Sequence, residues 1–290
     1  MNAGRLLTAT GVPWLLRRWI QRSSVTVLAY HDPSPQSFSR HIAGLRPRYN
    51  FIELSRLATA LAEGSFKGLP PRALVLTLDD GHRRNVELVD IIRRERVPVT
   101  VLVCPELLGG QFWFLQTDPE PLKRIPDQIR RVAIASQADA SGPRHALSSA
   151  ELSLLASVAD IQCHTATHPV LPMCDTDVAR REIEQSREQL QALLGHDVYA
   201  LAYPNGDYSD RDIELVRDAG YCVGLTTDPG VNRQSADPLK LRRISVGDED
   251  DLPTLLAKAS GLWALIKWSV KRRPYGHMTI SPASYPSTLE

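Results

Sequence analysis

Short apolar runs recur along the chain, each bounded by polar or turn-forming residues. They are VTVLAY (25–30), ALVLTL (73–78), VPVTVLVC (97–104), ADIQC (159–163), VYALAY (198–203), YCVGLTT (221–227) and LKLRRISV (239–246). Runs of this length and composition read as buried or half-buried strands. Between them, NVELVDIIRRER, TDVARREIEQSREQLQALLG and SDRDIELVRDAG carry apolar residues three and four apart, the period of a helix with one buried face. The last two begin on capping residues and end on Gly195 and Gly220, where helices stop. Alternation of strand and helix on this scale predicts an α/β fold, either a parallel barrel or a doubly wound sheet.

One region breaks the rhythm. Residues 105–150 hold GGQFWFLQTDPEP, a basic helix-like piece and SQADASGPRHALSSAEL, and read as an insertion between strands over the active face. The chain therefore divides into a basic amphipathic segment (1–24), an α/β body (25–250), an amphipathic C-terminal helix (251–273) and a tail (274–290). That tail is rich in Pro, Ser and Thr and is expected to be disordered. Composition adds little: 43% hydrophobic and 23% charged residues are ordinary globular values, and a net charge of +1 gives no argument for nucleic acid. Cys104, Cys163, Cys174 and Cys222 lack CxxC spacing and read as small buried hydrophobes in a reducing compartment. No cleavable signal and no spanning helix is recognised, which makes the cytoplasm the default location.

Chemistry gathers where strands end. His31-Asp32 follows VTVLAY, Asp79-Asp80 follows ALVLTL, and His164 to His168 follows ADIQC. In parallel α/β folds the carboxyl ends of strands build the sites. Two histidines and a carboxylate from separate strands suit a divalent ion with open positions for water and substrate. A neighbouring aspartate can then take a proton from a water that the ion has acidified. A DDG turn alone is common, and HxxxH alone is weak because Thr165 stands where a zinc metalloprotease has glutamate. Together, in this order, they point to a metal hydrolase.

The motifs also carry a resemblance. LTLDDG (76–81) resembles the first motif of the polysaccharide deacetylases, carbohydrate esterase family 4, which usually reads TFDDG. HTATHP (164–169) resembles their second, H-[ST]-x-x-H-P, and AYPNGDYS (202–209) their third. The resemblance runs from Val25 to Val246 and implies a distorted (β/α)7 TIM-like barrel that removes acetyl groups from N-acetylated sugars. Carried over by position, it implies Asp79 as base and Asp80, His164 and His168 as ligands of a divalent metal, zinc first among candidates. It also implies an oxyanion held near Asn205, in the turn Tyr203-Pro204-Asn205, with Thr165 and Pro169 orienting the histidine pair.

The chain departs from the family pattern in three places. Ala202 stands where an arginine usually pairs with the base, no tryptophan follows TTDPG, and LRRISV lacks the histidine that donates the last proton. His31 is the candidate acid, against a structural His–Asp pair at a strand exit. Arg242 and Arg243 read as a solvated basic pair, with replacement of the missing arginine as the alternative. The expected substrate is a bacterial glycan or a lipid-linked or nucleotide sugar precursor, carrying N-acetyl or alternatively O-acetyl groups. The rivals are an amidase or esterase on another small acylated compound, and a carbohydrate-binding pseudoenzyme that keeps the metal and lacks the acid.

The ends carry a further signal. Trp14 and Trp19 lie in PWLLRRWIQR, and Trp263 and Trp268 in GLWALIKWSVKRR. Leu252, Leu255, Leu256, Ala259, Trp263, Ile266 and Val270 fall on one helical stripe, which packing on the protein's own body would explain. Tryptophans flanked by basic residues also suit a membrane interface, so peripheral attachment to the inner membrane is the alternative.

Overall fold

The structure, a computed structural model, describes residues 11–115, 122–135 and 142–262. Its strands are β1 (Ser24–Tyr30), β2 (Asn50–Phe51), β3 (Ala73–Leu78), β4 (Thr100–Val103), β5 (Asp160–Cys163), β6 (Ala200–Ala202), β7 (Val223–Leu225), β8 (Asn232–Arg233) and β9 (Ile244–Ser245). Six of them, β1, β3, β4, β5, β6 and β7, lie side by side in that order, every pair parallel. Residues 241–246 close the ring. On one side Leu241 N–H donates to Gly224 O (2.8 Å) and Thr226 N–H to Leu241 O (2.9 Å). On the other, β9 pairs parallel with Leu28 and Ala29, and Val246 N–H donates to Ala29 O (2.9 Å). Six strands and this closing segment are the seven staves of a distorted (β/α)7 barrel.

Period-two alternation splits the core into two sets. Leu28, Tyr30, Leu74, Leu76, Leu78, Val101, Val103, Ile161, Cys163, Leu201 and Tyr203 face outward and pack under the helices. Val25, Val27, Ala73, Val75, Leu102, Ala200, Ala202, Val223, Leu225 and Leu241 fill the inside of the ring. Continuing the inner rows upward gives Thr77 and Asp79 on β3, Gln162 and His164 on β5, and Arg243 on the closing segment. The hydrophobic pattern thus aims the chemistry-bearing residues into the mouth of the barrel.

The covering helices are α1 (Val12–Trp19), α2 (Pro35–Leu45), α3 (Leu54–Ala62), α4 (Val89–Glu95), α5 (Asp127–Ala135), α6 (Ser149–Ala156), α7 (Thr176–Leu194), α8 (Asp210–Asp218) and α9 (Leu252–Ala259). The segment NVELVDIIRRER divides into a 3-10 turn over Arg83–Leu88 and then α4. LKLRRISV pairs as strand only near its end, because Pro238, capped by Asp237, starts a 3-10 turn through Lys240. Three helices, α2, α3 and α6, fall outside the segments whose periodicity stands out. Leu54, Leu57 and Leu61 of α3 join the inner core set.

At the amino-terminal end of the strands, buried side chains complete what the sheet omits. β5 and β6 share one registered pair, Cys163 with Leu201. Below it, Gln162 Oε1 accepts from Tyr199 N–H and Ala200 N–H (both 2.9 Å), and its Nε2 donates to Asp160 (2.8 Å). Gln21, fully buried, ties α1 to the same end: it donates to Ala259 O (2.6 Å) and Thr26 Oγ1 (2.8 Å) and accepts from Tyr49 (3.1 Å). All four cysteines are free; Cys104, Cys163 and Cys174 are buried and Cys222 is exposed. Trp263, Ile266, Trp268, Val270 and the tail 274–290 lie outside the described residues, as do 116–121 and 136–141 within the insertion.

Candidate active site

Asp79 and Asp80 leave β3 in opposite directions because the backbone turns between them. Asp80 takes φ 70° and Gly81 φ 74°. A Cβ on Gly81 would lie 2.8 Å from the Val103 side chain, so only glycine fits there. Asp79 therefore stays on the inner row of the barrel, while Asp80 swings toward β5.

There Asp80 Oδ1 faces His164 Nε2 at 3.3 Å and His168 Nε2 at 3.5 Å. The ligand atoms of these three buried residues all lie within 4.8 Å of one another. His164 Nδ1 lies 2.8 Å from the Ala202 carbonyl, which assigns the proton to Nδ1 and leaves Nε2 with a free lone pair. His168 is placed by strained backbone: Thr165 and His168 both have φ 64°, and Thr165 Oγ1 accepts from His168 N–H (3.1 Å). Its ring stacks on Phe114 from the insertion, with centroids 3.8 Å apart.

Burial alone would raise Asp80, but the surrounding imidazoles of His164, His82 and His168 hold its carboxyl well below the usual range. Burial pushes His168 down to about 3, so this ring is neutral. For His164, burial lowers the pKa, and the carboxylates of Asp80 and Asp79 more than reverse that. Despite this crowding, Asp80 Oδ1 and His168 Nδ1 are buried without a hydrogen-bond partner. A carboxylate oxygen orphaned between two imidazole lone pairs is costly unless something positive completes it. The residues present fit a divalent cation held by Asp80, His164 and His168.

Asp79 is held differently. Arg243 grips it with two nearly parallel bonds, Nη1 to Oδ1 at 2.6 Å and Nη2 to Oδ2 at 2.8 Å. The same guanidinium donates to Thr77 Oγ1 (3.1 Å) and to Thr226 O (2.9 Å), and it is 1% exposed. This corrects the reading of Arg242 and Arg243 as a solvated pair. Arg242 is exposed, whereas Arg243 lies one step up the inner row from Leu241, where alternation carries it into the barrel. Ala202 leaves the third-motif position without a guanidinium, and the closing segment supplies one instead. Burial would raise the Asp79 carboxyl, but Arg243, with help from His164 and His31, keeps it below its ordinary value and ionised.

The remaining candidates lie around the mouth. His31 follows β1 directly, is exposed, and lies near enough to act electrostatically on Asp79 and His168. Asp32 beside it pairs with Arg84 (3.2 Å). In the turn after β6, Tyr203 N–H is committed to Leu225 O (3.0 Å), and its hydroxyl donates outward to Leu239 O (3.0 Å). Pro204 has no N–H, so Asn205 is the first residue of the turn with an amide that the sheet does not use. Asn205 sits at φ 57°, with its buried Nδ2 lacking a partner. A Cβ on Gly206 would meet Thr227 Oγ1 at 2.1 Å, which fixes glycine in the turn. The structure thus gathers Asp79, Asp80, His164 and His168, sets His31 and Asn205 at the rim, and turns the Tyr203 side chain away.

Two groups at the site were not singled out by the sequence. His82 Nε2 lies 3.2 Å from Asp80 Oδ2 and packs edge-on against Phe112 (4.9 Å), holding the far side of the carboxylate. Its position right after DDG was the available signal. The insertion also braces the second motif. Trp113 Nε1 donates to Thr167 O (2.7 Å), and Arg131 donates to Thr167 Oγ1 (2.6 Å) and Asp127 (2.5 Å). Glu182 of α7 accepts from Thr167 N–H (2.8 Å) and bonds its hydroxyl.

Comparison with known proteins bears on the family and the fold. A chitooligosaccharide deacetylase of Rhizobium leguminosarum bv. trifolii is 31% identical over 125 residues, which span 42% of this chain and 41% of that protein. The Streptococcus pyogenes deacetylase PplD, solved in complex with acetate, superposes with a TM-score of 0.64 at 20% identity, covering 81% of this chain and 98% of that one. IcaB from Ammonifex degensii also gives 0.64, at 18% identity over 83% and 98% of the two chains. At these identities the two structures speak for the fold. The model of the polysaccharide deacetylase family matches residues 67–224, more than half of the chain. The chain belongs to the polysaccharide deacetylases of carbohydrate esterase family 4.

Proposed function

We propose that this protein is a metal-dependent hydrolase that removes N-acetyl groups from a bacterial glycan or a sugar precursor of one. The observation that carries this reading is the pairing of two unlike carboxylates. Asp80 Oδ1 is orphaned between two histidine lone pairs, while its neighbour Asp79 is held ionised by Arg243. A divalent cation, zinc first among candidates, would act there as a Lewis acid toward water and toward an acetamide carbonyl. Asp80, His164 and His168 would hold it.

Asp79 is the general base. Each of its oxygens spends one lone pair on Arg243 and keeps another, so it can accept a proton from the attacking water while the guanidinium fixes its plane. The depressed pKa makes it a weaker base, but guarantees that it is unprotonated at neutral pH. The amide N–H of Asn205 is the donor for the developing oxyanion. His31 gives the leaving amine its proton, since it ends β1 at the same mouth.

Metal analysis combined with acetate release from a panel of N-acetylated glycans, nucleotide sugars and lipid-linked sugars tests the reaction. Stoichiometric metal with acetate release is expected; bound metal and bound sugar without turnover would make the protein a carbohydrate-binding relative. His31→Ala should cut turnover about a hundredfold while leaving metal content unchanged. Unaltered turnover in that variant would remove His31 as the acid.

A further inference from the structure

The helix α1 presents an unusual surface. Trp19 is 72% exposed, Trp14 57%, Leu15 47% and Ile20 37%. Positions 14, 15, 18 and 19 share one side of the helix, which places Arg18 among the apolar groups, and Arg22 lies exposed in the turn that follows. Arg18 lies over the Trp14 ring at 5.9 Å. Two exposed tryptophans on eight helical residues would be a solubility liability on an ordinary surface.

Charge narrows what this face meets. The chain as a whole carries +1, yet its first acidic residue is Asp32, and Arg5, Arg17, Arg18 and Arg22 precede it. The segment that carries the apolar face is therefore of one sign. Aromatic rings with amphipathic edges, beside arginines whose stems are apolar, match the boundary between acyl chains and anionic headgroups. The helix is also fixed to the body rather than trailing from it. Gln21 locks its end to Ala259, Thr26 and Tyr49, and Ser24 Oγ donates to Ile20 O (3.0 Å). Among the described residues no helix is long and apolar enough to cross a membrane.

We propose that α1 is a docking surface for an anionic lipid bilayer, with Trp14, Leu15, Trp19 and Ile20 entering the interface and Arg18 and Arg22 meeting lipid phosphates. This rests on α1 alone and holds whatever the reaction is. It carries an orientation with it. The end of α1 is tied to the amino-terminal ends of the strands, whereas the Asp80–His164–His168 cluster sits at their carboxyl ends. Seven residues of β1 separate the two by roughly 20 Å. Docking through α1 turns the site away from the bilayer, toward chains or sugars reaching it from the aqueous side.

Co-sedimentation of the full chain with vesicles tests this. Binding is expected to mixed phosphatidylcholine–phosphatidylglycerol vesicles at low salt, weaker at high salt, and weak to pure phosphatidylcholine. Arg18→Glu with Arg22→Glu should reduce affinity by about twentyfold or more, at about fivefold per arginine. Trp14→Ser with Trp19→Ser should abolish most of the binding, leaving oligomeric state and acetate release from soluble substrates unchanged. Three results would overturn the proposal: no sedimentation of the full chain at low salt, binding undiminished in both double variants, or a change in oligomeric state in the tryptophan variant. The last would assign the face to a second copy of the chain.

Discussion

At the amino-terminal end of the strands, Asp160 accepts from Tyr199 (2.6 Å), Gln162 (2.8 Å) and Thr100 (3.3 Å), and the Gln162 amide oxygen accepts from two backbone amides. At the carboxyl-terminal end, Asp32 Oδ1, Asp80 Oδ1, Asn85 Oδ1, His168 Nδ1 and Asn205 Nδ2 are buried with no hydrogen-bond partner. Backbone strain divides the same way. Of the six described non-glycine residues with positive φ, Asp80, Thr165, His168 and Asn205 stand at the carboxyl rim. The amino-terminal end, the floor of the barrel, is less loaded but not free of such groups: Arg72 and Arg96, before β3 and β4, hold the other two positive φ, and Gln191 Oε1 of α7 and Thr254 Oγ1 of α9 also lack a partner. Each orphaned atom costs about 1–3 kcal/mol and each strained residue a similar amount, so the rim persists because the rest of the fold over-determines it. Stability and chemistry are assigned to opposite ends of the same strands.

The largest test of that division is Asp79→Asn. It should lower turnover by roughly 10³-fold while metal stays bound, because the base is removed and the ligands remain. Loss of metal in this variant would exchange the roles of the two aspartates. Next comes the Asp79–Arg243 pair, a buried two-point ion pair at the rim. Arg243→Met should cost about 3–5 kcal/mol in denaturant unfolding, since it strands a buried carboxylate. The double variant Asp79→Asn, Arg243→Met should lose clearly less than the sum of the single losses. Simple additivity would mean that Arg243 stabilises the closing segment through Thr77 and Thr226 and does not act on Asp79.

How much of this the sequence discloses follows the same line. Strand cores such as ALVLTL, observed as Ala73–Leu78, are legible because alternation and burial act locally. The metal set is legible because each ligand follows a recognisable strand. Arg243 is not, because an arginine pair beside a strand end reads as solvated until the ring closes. Its burial depends on Leu241 meeting Gly224 and on Ile244 and Ser245 meeting β1. His82 is hidden for a related reason: its role comes from the left-handed turn at Asp80 and Gly81, which swings one carboxylate oxygen back toward it. Pairings between distant segments, and side-chain directions set by strained backbone, are what local pattern cannot supply.

A floor variant should behave in the opposite sense to Asp79→Asn. Tyr199→Phe removes one donor to Asp160 and should cost about 1 kcal/mol of stability with metal content and turnover unchanged. A drop in turnover beyond a few-fold would show that the two ends are coupled and that the division is not real.

The smallest effect is the most discriminating for the oxyanion donor. Asn205→Gly keeps the backbone N–H, removes the orphaned Nδ2, and places at φ 57° the residue that adopts this conformation without cost. If the rim tolerates strain and unsatisfied groups for the sake of the site, relieving both at once should raise stability by about 0.5–1 kcal/mol. Turnover then separates two parts of one residue. Activity within a few-fold of the original would assign the oxyanion to the Asn205 amide. A loss of 10²-fold or more, with stability raised as expected, would assign it to the side-chain Nδ2, whose lack of a partner in the resting protein would then be the reason it is buried there.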